Sequence, residues 1–424
     1  MAPQNTRRRG LPGCADLFAA RADEEDERNI DGMVSQQATG SGPFDVAIAG
    51  GGVVGLASAW TLASEGHRVT VIDPEPGHGA AWVAAGMLAP GNEACFGEEA
   101  LTRLLVAGAQ RWPRFAAALE EDAASSIGFE RSGTVVVACD ASDRAALDQL
   151  LTFRQSIGLD AERLSASECR RAVPALSPAI GGGAVMPGDH QVDNRALITA
   201  LIAACRHRGV VFESSRVVAV ELDSTGVARA VVTDDGARIE SGTIVAAMGW
   251  QTGQLGGLPD GCFPEVRPVK GHILRLGGQG PLLGRTVRGL VGGRACYLVP
   301  RRDHSVVVGA TVEEMGPDLR VQVGAVHALL DDARRLVPGI DELELLECAV
   351  GLRPGSADNA PYVGWTEVPG LAIATGHYRN GILLAPITAE AISALVGGGS
   401  MPTELGPFGV RRPTGVDRAE ALGR

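Results

Sequence analysis

The chain has 424 residues, a formal charge of −12, 45% apolar residues and 57 glycines. Such a length supplies core for two or three domains. The acidic balance argues against nucleic acid as a partner, because phosphate binding needs a concentrated basic surface. No apolar run in the sequence approaches the ~20 residues of a membrane span, so no membrane partner is expected either.

Residues 1–43 read as a disordered N-terminal tail. Arg7-Arg8-Arg9 opens it, but a charge run, Arg21-Ala-Asp-Glu-Glu-Asp-Glu-Arg28, stands where an export signal needs a hydrophobic stretch. Cytoplasmic residence is therefore the default expectation. Cys14, Cys95, Cys139, Cys169, Cys205, Cys262, Cys296 and Cys348 are scattered, with no Cys-x-x-Cys pair. That spacing suits reduced, mostly buried thiols and neither a metal site nor a disulfide framework.

Phe44 to Ala49 is a β-branched and apolar run of the kind found in a buried parallel strand. Gly50-x-Gly52-x-x-Gly55 turns it into a helix over Leu56 to Glu65, which Gly66 ends. Arg68 to Ile72 is a second strand, closed by Asp73. The first glycine allows the turn, the second lets the backbone approach a pyrophosphate, and the third lets helix pack on strand. The helix N-terminus adds amide donors and partial positive charge. Asp73 is placed to bind ribose hydroxyls, so the unit reads as a dinucleotide site. After it comes Gly79-Ala80-Ala81-Trp82, then Ala84-Ala85-Gly86-Met87-Leu88, small residues that let a backbone run against a flat ring and its phosphates.

Gly133 to Ala138, Val269 to Leu276, Tyr297 to Pro300 and Ser305 to Gly309 are short strands, interrupted by helices at Ala141 to Ile157 and Val321 to Leu336. They suggest a mostly antiparallel sheet. Between the two groups of strands, Asn194 to Arg208 is an amphipathic helix and Val210 to Glu213 a strand. Val217 to Leu222 and Ala228 to Thr233 form a hairpin-like pair, and Thr243 to Met248 is another buried strand. Leu371 to Ala374 and the helix Ile382 to Val396 close the pattern. The fold class is α/β (α+β, two domains): a Rossmann-like dinucleotide-binding domain over 44–125, 189–262 and 347–400, with an antiparallel substrate domain inserted as 126–188 and 263–346. Residues 401–424 read as a C-terminal tail, and the pairs Asp189-His190 and Asp358-Asn359 as polar turns.

Two C-terminal motifs point to the substrate. Gly351-Leu352-Arg353-Pro354-Gly355 and Gly376-His377-Tyr378-Arg379-Asn380-Gly381 each place an arginine at the mouth of a glycine-rich bend, suited to a small carboxylate. A guanidinium offers a planar fork that matches a carboxylate in bidentate fashion. For Arg353 the competing role is a structural ion pair. For Tyr297, a second donor to the same carboxylate, it is a core tyrosine. Arg379 stays open between substrate, the ring edge of the cofactor and a surface role. His377 is assigned through its backbone, because lone histidines are mostly structural.

With these motifs in hand, the sequence resembles the D-amino-acid oxidase family of flavoproteins, most closely the glycine oxidases of thiamine biosynthesis, over residues 44 to 397. Ala85-Gly86-Met87-Leu88-Ala89-Pro90, Pro268-Val269-Lys270-Gly271, Tyr297-Leu298-Val299-Pro300-Arg301 with Val308-Gly309-Ala310-Thr311, and the C-terminal motifs through Pro386 carry the resemblance. It implies noncovalent FAD, touched by Gly50, Gly52, Val53, Val54, Gly55, Asp73, Pro74, Ala80, Ala81, Ala85, Gly86 and Met87. It further implies an adenine contact from the backbone of Val217, and a wrap around the isoalloxazine by His377, Tyr378, Arg379, Asn380, Gly381, Ile382 and Leu383. Substrate contacts fall to Arg353, Arg379 and Tyr297. Where relatives usually carry Thr or Ser before the equivalent of Trp82, this chain has Ala80-Ala81, which removes a hydroxyl donor to phosphate. Cys296 and His377 are the thiol and imidazole nearest in sequence for a covalent flavin link, which the resemblance does not imply.

The implied reaction is oxidation of glycine, with sarcosine and small D-amino acids as neighbouring candidates. Hydride passes from Cα to flavin N5, giving an imine for thiazole synthesis and, with O2, hydrogen peroxide. Such transfer needs no protein base on carbon, so no catalytic side chain is assigned. A homo-oligomer, a tetramer by resemblance, is expected. The alternatives are a flavin-linked amino-acid dehydrogenase with another acceptor, a sarcosine-type oxidase, and a catalytically silent flavin-binding scaffold or sensor. An NAD dehydrogenase would leave the C-terminal bend unexplained.

Overall fold

The computed structural model describes residues 43–412. The expectations for the N-terminal tail, for Cys14 and for the stretch after residue 412 lie outside them. Two eight-stranded sheets organise the described chain. In the first, Leu371–Thr375, Arg238–Ala246, Phe44–Ala49, Val69–Ile72 and Val211–Glu213 run parallel in that spatial order, and Tyr362–Trp365 adds an antiparallel edge. The hairpin Val217–Leu222 and Ala228–Thr233 extends from Arg238–Ala246. The central strands are apolar on both faces because both are covered. On one side lie the helices Val53–Ser64, Glu99–Ala123, Asn194–His207 and Gly381–Val396, with Leu56, Trp112, Leu201 and Leu384 in their shared core. On the other, Val217, Val220 and Val231 of the hairpin pack with Ile72 and Ile244.

The second sheet runs Glu344–Gly355, Arg267–Gly277, Val306–Gly309, Arg294–Pro300, Thr286–Val291, Thr134–Ala138, Gly182–Met186, Glu162–Leu164. Every pairing is antiparallel except Thr286–Val291 with Thr134–Ala138. One face packs on the helix Val323–Leu336 through Leu274, Leu298, Val308 and Leu336. Toward the other, Ala85, Ile273, Val299 and Val307 form a small core with Val83, Met87 and Tyr297. The edge strand Glu344–Gly355 pairs with Arg267–Gly277 along a long ladder, from Gly355 opposite Arg267 to Glu344 opposite Gly277, broken by one register shift between Arg275 and Leu276.

Several elements escape the sequence pattern. The helix Glu99–Ala123 has Pro113 inside it, yet Leu101, Leu105, Gly108, Trp112, Ala116 and Leu119 are all buried at helical spacing. Residues 401–412 are not a tail: Thr403–Phe408 is a short 3-10 helix with Leu405 and Phe408 buried. Asp358 is more than a turn residue, because Arg412 pairs with its carboxylate at 2.7 Å and stacks over Tyr362 at 3.8 Å. Asp189 is buried and accepts from the N–H groups of Gly91 (2.8 Å) and Asn92 (2.9 Å). Among the described residues, no helix is long and apolar enough to cross a membrane, and no cluster of three metal-ligating side chains occurs.

Candidate active site

The glycine turn is fixed by contact. Gly50 has φ +106°, and a Cβ there would lie 2.5 Å from the Ala247 carbonyl oxygen; at Gly55 it would lie 2.0 Å from the Gly50 carbonyl oxygen. Gly52 differs, because a Cβ at that position meets nothing within 4 Å. The helix Val53–Ser64 follows with no side-chain cap and no acid in its first turn. Its first amides therefore face an open, uncapped space, which fits a pyrophosphate. Asp73 accepts from the N–H of Gly51 (2.7 Å) and of Glu75 (2.8 Å), which braces the turn from the neighbouring strand. Pro74 beside it is exposed.

Ala80 and Ala81 open the single-turn helix Ala80–Val83, whose carbonyls at Ala81 and Trp82 accept from the Asn194 amide at 2.8 and 2.7 Å. The Ala85 carbonyl accepts from Arg301 Nη2 at 2.7 Å, and the Gly86 carbonyl accepts from Val192 N–H at 2.9 Å. Gly86 cannot carry a side chain: φ is +66° and a Cβ would be 2.0 Å from the Val192 carbonyl oxygen. Met87 pairs with Gln191. Val217 is buried on the opposite side of the first sheet, near Ile72, in the strand that faces Thr233.

The C-terminal bend meets the glycine turn. A Cβ on Gly381 would sit 3.9 Å from Val53 Cγ1 and 3.7 Å from His377 Cβ, so the N-termini of Val53–Ser64 and Gly381–Val396 converge. The second helix also lacks a side-chain cap and a first-turn acid. Asn380 N–H donates to the His377 carbonyl at 2.8 Å, and Tyr378 N–H donates to Pro354 at 2.9 Å, with Tyr378 at φ +49°. Ile382 and Leu383 turn their side chains into the core, which leaves only their backbone for a ligand. The His377 ring is buried against Thr388 Oγ1 at 3.1 Å, and burial pushes its pKa down to about 3. It is neutral at physiological pH and no candidate for a general base.

On the second sheet, Arg288, Tyr297, Gly309 and Ile273 lie directly opposite one another in register, and strand alternation puts Arg353 on the same face. Two glycines make room there. A Cβ on Gly309 would lie 2.4 Å from the Tyr297 hydroxyl, and one on Gly271 would lie 2.4 Å from both terminal nitrogens of Arg353. The Arg353 guanidinium lies flat over Gly271 and donates from Nη1 to the carbonyls of Lys270 (3.3 Å) and Thr311 (3.1 Å). No carboxylate among the described residues lies within ion-pair distance of it. The structural ion pair, the alternative role for Arg353, is therefore absent among the described residues. Burial raises the Tyr297 phenol, though Arg353 and Arg288 pull the other way, so it stays protonated and can donate.

Arg379 is engaged rather than free. Its Nη2 pairs at 2.8 Å with Glu93, whose other oxygen takes Arg288 Nη1 at 2.9 Å. Burial alone would raise the Glu93 carboxyl, but Arg379 and Arg288 hold it below its ordinary range. Glu93 and Arg288 beside Tyr297, and Arg301 against the Ala85 carbonyl, are neighbours of these residues to which the sequence motifs assigned no role. Arg288 could have been found from its register opposite Tyr297; Glu93, on the four-residue helix Pro90–Glu93, gave no signal. Cys296 faces the Val323–Leu336 side of its sheet, away from Tyr297, with its thiol pushed up to about 12 by burial.

A glycine turn of the dinucleotide-binding type, joined to a sheet that bears an arginine with no acidic partner among the described residues and a protonated tyrosine, is an arrangement that suits a two-domain flavoprotein oxidoreductase. The chain belongs to the DAO family of FAD-dependent oxidoreductases, whose model matches residues 45–395. It is 34% identical over 376 residues to the glycine oxidase of Geobacillus kaustophilus, covering 88% of this chain and 98% of that one. The crystal structure of that enzyme superposes with a TM-score of 0.80 over 88% of this chain and 99% of the other. The bifunctional protein ThiO/ThiG of Trichormus variabilis is 33% identical over 83% of this chain, which spans only 52% of that longer protein. Iminodiacetate oxidase from Chelativorans sp. BNC1 is 26% identical with a TM-score of 0.76, over 87% of this chain and 99% of that one.

Proposed function

We propose that this chain is an FAD-dependent amino-acid oxidase that acts on glycine, with sarcosine and small D-amino acids as secondary substrates. The observation that carries the reading is Arg353, a half-buried guanidinium on a shaped sheet face with no acidic partner among the described residues. Arg353 binds the substrate carboxylate with its free edge, and the protonated Tyr297 donates to the same group. Gly271 and Gly309 keep both side chains low, so a small amino acid fits above them. Bound FAD supplies the two-electron oxidation of the amine, and O2 restores the oxidised flavin with release of hydrogen peroxide. The two convergent helix N-termini favour negative charge on a group bound beside them. The burial of Cys296 and of the His377 ring supports a noncovalent flavin.

Similarity to glycine oxidases and to ThiO/ThiG supports supply of the glycine imine to thiazole assembly in thiamine biosynthesis, in the cytoplasm. A homo-oligomer, a tetramer by family resemblance, is part of the same proposal. The test is anaerobic addition of glycine to the purified yellow protein. Bleaching of the flavin, with recovery and peroxide on admitting air, is the expected result. A flavin that no small amino acid bleaches overturns it.

A further inference from the structure

Glu93 occupies an unusual position in this site. Its side chain is 10% exposed; one oxygen accepts a hydrogen bond from Arg288 and the other lies in an ion pair with Arg379 that lacks hydrogen-bond geometry, the two guanidiniums coming from different parts of the fold. Arg288 comes from the second sheet, directly opposite Tyr297, and Arg379 from the bend before the helix Gly381–Val396. Register puts Arg288, Tyr297 and Arg353 on one face of the second sheet, and Glu93 is held against Arg288 there. Of Arg288, Arg379 and Arg353, the first two hold a carboxylate and, among the described residues, the third holds none. Arg288 and Arg379 are spaced to take the two oxygens of one carboxylate, and the protein supplies that carboxylate itself.

We infer that Glu93 determines specificity by filling a latent second carboxylate site, so that the enzyme accepts monocarboxylic amines and rejects dicarboxylic ones. The inference rests on the proposed amino-acid oxidase activity and extends it to the class of substrate excluded. A second carboxylate on the substrate would meet Glu93 as a like charge competing for the same two guanidiniums. Rejection built this way comes from a repulsive element and needs no loss of attraction for glycine.

The test compares sarcosine with iminodiacetate, two N-substituted glycines that differ by one carboxylate, as a ratio of kcat/KM values in the FAD-loaded enzyme. Glu93→Gln should raise the iminodiacetate-to-sarcosine ratio on the order of tenfold or more, since ~1.4 kcal/mol of relieved repulsion is tenfold. Arg379→Gln should lower it, because Glu93 then keeps the remaining guanidinium to itself. A role confined to folding would not move the ratio in opposite directions. An unchanged ratio in Glu93→Gln, or the same direction in both variants, overturns the inference. Should Glu93→Gln fail to retain FAD, Glu93→Gln/Arg379→Gln removes both members of that ion pair together. That variant must still exceed the wild-type ratio, and a ratio at or below wild type overturns the inference. Binding of malonate against acetate, followed by perturbation of the flavin absorbance, gives the same comparison without turnover. An enzyme inactive on every amine would thus refute the proposed function while leaving the role of Glu93 decided by binding.

Discussion

At the scale of single residues, Arg353 is anchored by two backbone carbonyls and has no carboxylate partner among the described residues. A lysine there keeps the charge but loses the planar fork, so Arg353→Lys should cost about 2–5 kcal/mol of carboxylate binding, as removal of close charge contacts does elsewhere. Titration with acetate or glycine reads this directly, and an unchanged affinity would refute the assignment. Gly271 is the complementary case. A methyl group there would stand 2.4 Å from the guanidinium nitrogens, so Gly271→Ala must displace Arg353. The expected result is a rise in KM for glycine on the order of a hundredfold with flavin retained, the scale of a misplacement of about 1 Å. Loss of FAD along with substrate affinity would mean that the contact is structural.

At the scale of elements, the helix Glu99–Ala123 supports the bend that leads into Gly381–Val396. Trp112 donates from Nε1 to the Leu383 carbonyl at 3.0 Å, and a Cβ on Gly108 would lie 3.0 Å from that same oxygen. Trp112→Ala should destabilise the protein by about 3–5 kcal/mol in urea unfolding, with the indole cavity and the lost donor both contributing. A cost below ~1 kcal/mol would show that the helix is held elsewhere. This element was hidden because Pro113 interrupts the helical pattern. The glycine turn, the parallel strands and the last helix were legible because steric demand forces particular residues at particular spacings, as at Gly50 and Gly55. The Arg353 motif was legible, and its place near a strand end as well, but the glycine-rich bend expected there is instead the last residues of a twelve-residue edge strand. The Glu93 clasp was not legible, since it joins residues nearly 200 and 300 positions apart through tertiary packing alone.

At the scale of the whole molecule, the buried His377 couples stability to pH. Its native pKa of about 3 lies below the ordinary 6.5, so below pH 6.5 the unfolded chain binds a proton that the native protein refuses. The contribution is complete above pH 6.5 and is lost progressively as pH falls toward 3, at about 1.4 kcal/mol per pH unit. Urea midpoints measured across that window should fall less steeply for His377→Gln than for wild type, by about one proton's worth of slope. Identical slopes would mean that the ring is protonated in the native state. The ladder between Glu344–Gly355 and Arg267–Gly277 has a different consequence, for how the gene can change length. Side chains alternate faces along a strand, so a single inserted residue inverts everything beyond it that stays in phase with the partner. The natural slip at Arg275 and Leu276 lies toward the Glu344 end, with an unbroken run between it and Arg353. Insertions on the far side of that slip can drift without reaching Arg353, whereas one inserted between the slip and Arg353 would turn this proposed carboxylate anchor to the wrong face of the sheet.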